Sequence, residues 1–262
     1  MSGRRAAIGA VAFAAPLLAA LTLGCGGGAS PPRAARGPGE IDLTKHSASA
    51  FAADPPLEPN GDARTPNDGA QIRFEDLPVT RLPRGKVPTP NGANPSLGAA
   101  NAPVVVQMWS DFECPFCART QPVLTELLRI YAGKVRLVWH DYPLSFHAHA
   151  RLAANAGREA YAQGGAAAFW KFHDAIYDAP EPALDAPSLE RFAVKAGLDA
   201  TRFHEALTSA RHDDEIKHDE ALGDSLGVEG TPAFLVNDYF FVGAVPIEIM
   251  RVIVDRALSD AR

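Results

Sequence analysis

From Ala102 onward the apolar positions fall into short blocks of distinct period. Val104 to Trp109 is an almost continuous β-branched and apolar run, the pattern of a strand covered on both faces. Pro115 to Tyr131 instead spaces Val123, Leu124, Leu127, Leu128 and Tyr131 along one helical face. Gly133 ends that helix, and Val135-Arg136-Leu137-Val138-Trp139 follows as a second strand. Such a strand–helix–strand unit predicts a right-handed crossover between two parallel strands. A helical pattern then runs from about His147 to Leu226, punctuated at Gly164-Gly165, between Pro180 and Pro187, and at Gly197. Ala233 to Val236, a turn at Asn237-Asp238 and Tyr239 to Val242 predict an antiparallel hairpin, and Pro246 opens a last amphipathic helix through Leu258. These elements define an α/β fold.

The chain before residue 100 has no such order. Residues 26–100 hold 12 of the 22 prolines and 10 of the 22 glycines, which breaks any period and leaves little apolar surface to offset ordering entropy. The organisation expected is a signal segment over 1–24, a flexible tether over 25–95 and a folded domain over 96–262. Within the tether, Ile72, Phe74, Leu77, Val79 and Leu82 mark either a short pairing strand or a sticky patch, and a first strand is placed near Lys86-Val87.

At the N terminus, Arg4 and Arg5 precede an uncharged apolar stretch, Ala6 to Leu23, and a small-residue run around Gly24 to Gly27. This is the layout of an export signal. Leu21-Thr22-Leu23-Gly24-Cys25 resembles a bacterial lipoprotein signal, which implies lipidation of Cys25. It departs from that pattern at Thr22, and an ordinary cleaved signal or an uncleaved anchor are the alternatives. Each exports the domain to an oxidising compartment, at the extracytoplasmic face of a bacterial envelope.

A length of 262 residues with 47% hydrophobic content suits one good-sized domain plus appendages. The net charge of −6 offers no basic stripe and argues against a nucleic-acid partner. Only three cysteines are present, so a structural disulfide framework is excluded.

Cys114-Pro115-Phe116-Cys117 sits where the first strand gives way to the first helix. A thiol near pKa 8.5 is mostly protonated at neutral pH and must ionise to attack a disulfide. The unpaired N–H groups and macrodipole at a helix start favour that anion at Cys114, and Pro115 suits the first helical position. Cys117, a turn further in, suits a resolving thiol. Phe116 adds neither charge nor hydrogen bond, unlike a histidine. A structural zinc site would want four ligands, and no second pair exists; copper(I) and an inert disulfide are weaker alternatives. His147 and His149, two apart, do not share a helix face and read as capping or surface groups, and His140 as a structural histidine or a tuner of Cys114. The charged run from Arg211 to Glu220 reads as a solvated helix face, and Phe169, Trp170, Phe172 and Tyr177 as core.

Ser110-Asp111-Phe112-Glu113-Cys114-Pro115-Phe116-Cys117 resembles the active site of the DsbA-like group of thioredoxin-fold proteins. Gly230-Thr231-Pro232-Ala233-Phe234 resembles that fold's cis-proline loop, Pro122 its kinking helix proline, and Asp141-Tyr142-Pro143-Leu144 with His147 the start of its helical insertion. The resemblance covers roughly residues 95–260. It implies a thioredoxin fold with an all-helical insertion at about 145–227 and a disulfide oxidoreductase without cofactor or metal. Cys114 would be the nucleophile, Cys117 the resolving thiol, Pro115 and Phe116 the residues that tune the pair, and Thr231 with Pro232 the substrate-binding loop. Implied partners are thiols or disulfides of exported proteins and a membrane partner for re-oxidation; the chain is expected to be monomeric. Oxidase is favoured over reductase or isomerase, because isomerases of this kind carry an added dimerisation domain. Two departures stand out. Met108 occupies the place of the buried carboxylate six residues before the first cysteine, and Pro-Phe replaces the Pro-His of strongly oxidising members, so the potential is placed between roughly −120 and −270 mV.

Overall fold

The computed structural model describes residues 72–262 apart from Asn91 and Glu181. The expected signal segment, Cys25 and most of the expected tether lie outside the described residues.

Six strands form one mixed sheet: β1 (Thr80–Arg81), β2 (Ser96–Gly98), β3 (Val104–Ser110), β4 (Val135–Asp141), β5 (Ala233–Val236) and β6 (Tyr239–Val242). Their order is β1-β6-β5-β3-β4-β2. Only β3 and β4 run parallel, joined through α1 (Pro115–Ile130), as the strand–helix–strand pattern predicts. The β5–β6 hairpin pairs antiparallel with β3, placing Trp109 opposite Ala233. That pairing brings the loop before β5 to the C-terminal end of β3, where α1 begins.

Four helices separate the halves: α2 (Ala150–Tyr177), broken by non-helical backbone at Gly164-Gly165, then α3 (Ala186–Ala196), α4 (Ala200–Ser209) and α5 (Asp213–Leu226). Asp185 and Asp199 cap α3 and α4 by accepting backbone N–H groups of Ser188 and Arg202. The last helix, α6 (Ile247–Asp260), follows Pro246 as expected.

Because side chains alternate along a strand, the two faces of the sheet bury different sets. Val104, Val106, Met108, Phe234, Val236 and Phe241 join the larger core with α1, α2 and α6. Trp109, Ala233, Leu235 and Phe240 form a smaller one with Leu222 and Leu226 of α5. Phe169, Trp170, Phe172 and Tyr177 are buried, as read from the sequence.

Two expectations need correction. The folded domain starts well before residue 96: β1 lies on the β6 edge, Phe74 meets Tyr239 edge-on at 5.0 Å, and Asn94 is buried. Apolar residues dispersed among prolines found a hydrophobic edge to cover, which composition averaging hides. No strand forms at Lys86-Val87; Arg84–Lys86 is a 3₁₀ turn, and the flanking strands are at Thr80–Arg81 and Ser96–Gly98.

The charged run is likewise only partly solvated. Asp213, Lys217 and Glu220 pair at the surface, but Asp219 is buried. It accepts hydrogen bonds from Arg158, Asn94 and the Asp141 backbone, and pairs with His140 at 3.0 Å. Arg158 also bonds Asp141 and the Ala93 carbonyl, so one buried guanidinium ties α2, α5, β4 and the N-terminal segment together.

Candidate active site

Three pieces of chain converge at the C-terminal end of β3. The first is the start of α1. Cys114 is its N-cap with extended backbone (φ −76, ψ 120), and Pro115 takes the first turn, where no N–H is required. The N–H groups of Phe116 and Cys117, unpaired inside the helix, face the Cys114 sulfur. The second is the loop before β5, whose Thr231–Pro232 peptide is cis. The Cys114 thiol donates to the Thr231 carbonyl at 3.3 Å, and the Pro232 carbonyl accepts from Gly243 N–H at 2.7 Å, pinning the loop to the sheet. The third is the 142–149 connection, held by Asp111. Its carboxylate accepts from the N–H groups of Glu113 and Leu144 and pairs with His147 Nδ1 at 2.7 Å.

The four central residues read from sequence, Cys114, Cys117, Thr231 and Pro232, therefore lie together. Pro115 and Phe116 lie on the rim. Phe116 is 47% exposed, with the Arg119 guanidinium 4.8 Å from its ring centre, and nearby in sequence to His147 stands Phe146, 77% exposed.

The two sulfurs differ in environment. A hydrogen bond from the Cys117 thiol is the largest influence on Cys114. Opposed by burial and helped by the Thr231 side chain and the helix N–H groups, it brings the Cys114 thiol down to about 6. At neutral pH roughly nine-tenths of such a group is thiolate. Cys117 is fully buried, and burial first, then the neighbouring sulfur, push its thiol well above the ordinary range. The arrangement thus holds one ready nucleophile or electrophile next to one protonated reserve thiol.

Met108 is fully buried in the larger core, so no carboxylate lies at that position. His140 does not tune Cys114: it stacks on Trp109 at 4.5 Å on the α5 face and is bonded to Asp219 and Gln107. His147, read as capping or surface, pairs with Asp111 instead.

Sequence reasoning gave no role to Asp111, Ser110 or Tyr177. Asp111 had a signal, since an aspartate two residues before a turn N–H is a common local acceptor. Tyr177 had none: its phenol reaches the Asp111 carbonyl at 3.3 Å across 66 residues.

The family model described as Thioredoxin matches residues 90–256. Among solved structures, a thioredoxin-like oxidoreductase from Silicibacter pomeroyi is 28% identical with a TM-score of 0.58, covering 64% of this chain and 94% of its own. The thiol-disulfide exchange protein α-DsbA2 from Wolbachia pipientis is 23% identical with a TM-score of 0.57, covering 63% of this chain and 88% of its own. A curated relative, the Na(+)/H(+) antiporter NhaA 3 of Salinispora tropica, is 39% identical over 166 residues, which is 63% of this chain and 25% of the antiporter. The chain spans about a quarter of the length of the curated relatives it matches. Among the described residues no helix is long and apolar enough to cross a membrane.

Proposed function

Because the chain belongs to the thioredoxin family, we propose that it is an exported thiol:disulfide oxidoreductase of DsbA type that introduces disulfides into envelope proteins. The observation that carries this reading is the unequal pair of sulfurs beside a cis-proline loop. A thiolate-stabilised Cys114 favours the reduced pair, and stabilising the reduced form makes the disulfide a stronger oxidant.

In the oxidase direction a substrate thiolate attacks the Cys114 sulfur of the Cys114–Cys117 disulfide. That S–S bond breaks, a mixed disulfide forms, and Cys117 leaves as thiolate. The substrate's second thiolate then attacks its own sulfur in the mixed disulfide and expels Cys114 as thiolate. The pair has gained two electrons and the substrate has lost them; a membrane redox partner re-oxidises the pair. When Cys114 carries no S–H, the Thr231 carbonyl loses its donor and is open to a substrate backbone N–H, which supports recognition as an added strand. Export and lipidation at Cys25 place the domain at the envelope membrane.

The decisive experiment is oxidation of a reduced dithiol peptide together with the reduction potential. Turnover and a potential toward the −120 mV end of the range support an oxidase. A potential near −270 mV with dependence on an electron donor makes it a reductase. Stoichiometric copper(I) binding without exchange would remove the enzyme reading. Cys25→Ser is expected to move the protein from membrane to soluble fractions; persistent pelleting would identify an uncleaved anchor.

A further inference from the structure

The turn that delivers Cys114 is gripped by the helical insertion. Residues 111–114 close that turn: the Asp111 carbonyl accepts from Cys114 N–H at 3.1 Å, and the Asp111 carboxylate from Glu113 N–H at 2.8 Å. Aspartate suits the first place in such a turn, because its side chain can bond the backbone two residues on. Cys114 ends the turn and caps α1, so the turn sets the backbone from which its sulfur reaches the Thr231 carbonyl.

Helix α2 meets the turn at both of its ends. At the start, the N-cap residue His149 donates its N–H to the Glu113 carboxylate at 2.6 Å. At the other end, Tyr177, the last residue of α2, donates its phenol to the Asp111 carbonyl at 3.3 Å and stacks on Phe112 at 5.8 Å. A straight helix of 28 residues would hold its ends about 42 Å apart. The non-helical backbone at Gly164-Gly165 turns α2 back on itself, so that both ends reach one four-residue turn. The connection leading into α2 is tied to the same place. Tyr142 N–H donates to the Ser110 carbonyl at 2.9 Å, Leu144 N–H to the Asp111 carboxylate at 3.0 Å, and His147 Nδ1 pairs with that carboxylate at 2.7 Å. Asp111 thus has its carbonyl and both carboxylate oxygens engaged, in a side chain with no solvent exposure.

We propose that Asp111 is a positioning residue through which the helical insertion sets the reactivity of Cys114. The inference rests on the exchange reading above and adds to it what the insertion does at the reacting sulfur. With the Asp111 carbonyl held by Tyr177 and its carboxylate by the 142–149 connection, the Cys114 backbone stays extended. Its sulfur then stays against the N–H groups of Phe116 and Cys117 that the helix leaves unpaired. Relaxing the turn takes those donors from the thiolate and makes Cys114 less acidic. The charge of Asp111 alone predicts the opposite sign, since removing one anion near another favours ionisation.

The test measures the pH midpoint of Cys114 alkylation by iodoacetamide in reduced wild type, Asp111→Asn and Tyr177→Phe, with Tm alongside. Asparagine keeps the shape and an acceptor for Glu113 N–H but offers Leu144 N–H no second carboxylate oxygen. Phenylalanine removes only the phenol oxygen and alters no charge. Both variants should raise the midpoint, Asp111→Asn by roughly one pH unit, which slows alkylation below the midpoint by up to about tenfold. Their equilibrium with glutathione should shift toward the disulfide, because the thiolate that favours the reduced pair is less stabilised. A lower midpoint in Asp111→Asn would overturn the proposal, since the carboxylate would then act through its charge. An unmoved midpoint in Tyr177→Phe would overturn the route through the insertion, and with a lowered Tm would leave the contact a structural one. Should Asp111→Asn fail to fold, Tyr177→Phe decides alone. A wild-type disulfide inert to dithiothreitol would instead overturn the exchange reading.

Discussion

Two identical side chains three residues apart have opposite acidities because one accepts a hydrogen bond from the other, which burial keeps protonated. Cys114 receives hydrogen bonds from the Cys117 thiol and from N–H groups that the helix cannot use; Cys117 is buried and next to an anion. Alkylation of the reduced protein by iodoacetamide should therefore rise with pH through a midpoint near 6, assigned to Cys114 by its loss in Cys114→Ala. A midpoint near the ordinary thiol value of about 8.5 would contradict the stabilisation of Cys114 by the Cys117 thiol and the helix N–H groups. The sign for stability follows from the same shift. A folded value below the unfolded one stabilises the reduced form fully above the unfolded value, and the gain disappears as pH falls through about 6. Cys114→Ala should abolish exchange. Cys117→Ala should accumulate mixed disulfides, seen as thiol-sensitive adducts on non-reducing gels, and a clean band under excess substrate would contradict its resolving role.

The elements are held by close approach and by buried charge. Helix α5 crosses the sheet at Gly223, where an added Cβ would lie 2.9 Å from both Trp109 Cδ1 and the Tyr142 ring. Gly223→Ala should cost about 1–3 kcal/mol through overpacking, read as a lower denaturation midpoint at unchanged slope. The Arg158 network behaves differently. Asp219→Ala leaves the buried guanidinium short of a counter-charge, with an expected loss of about 3–5 kcal/mol. Burial raises the Asp219 pKa, but its bonds to His140 and its attraction to Arg158 outweigh this, so it ends below the ordinary value. Its contribution is therefore complete above roughly pH 3.9 and fades as pH drops through the lower native value. Asp141, held up by burial, works in the opposite sense. The Tm deficit of Asp219→Asn should shrink between pH 7 and pH 3; a deficit that stays constant would exclude the ion pair as its source.

At the scale of the whole molecule, the N-terminal segment belongs to the fold. Phe74, Leu77 and Val79 pack against the larger core, β1 covers the β6 edge, and Arg81 pairs with Asp238 at 2.8 Å. Removing residues 72–82 should expose that edge and lower Tm, while leaving dithiol reactivity intact at temperatures where the domain remains folded. Equal Tm would return the segment to the tether. The periodic elements were legible because strands β3 to β6 and helix α1 each bury one continuous pattern. The segment at 72–98 was not, because its few apolar residues are separated by prolines and acquire meaning only against a partner strand.

The chain alone determined the elements from β3 onward, the cysteine pair at a helix start and the loop at Thr231-Pro232, because periodicity, helix starts and turn chemistry are local properties written in neighbouring residues. The tertiary structure decided which groups surround each sulfur, that Asp219 and Arg158 share one buried charge network, and that His140 stacks on Trp109 away from the cysteines. Those facts depend on the register between β3, β4 and β5 and on where helices α2 and α5 cross the sheet. Contacts between residues 60 to 125 positions apart are set by the packing of whole elements, and local sequence carries no record of them.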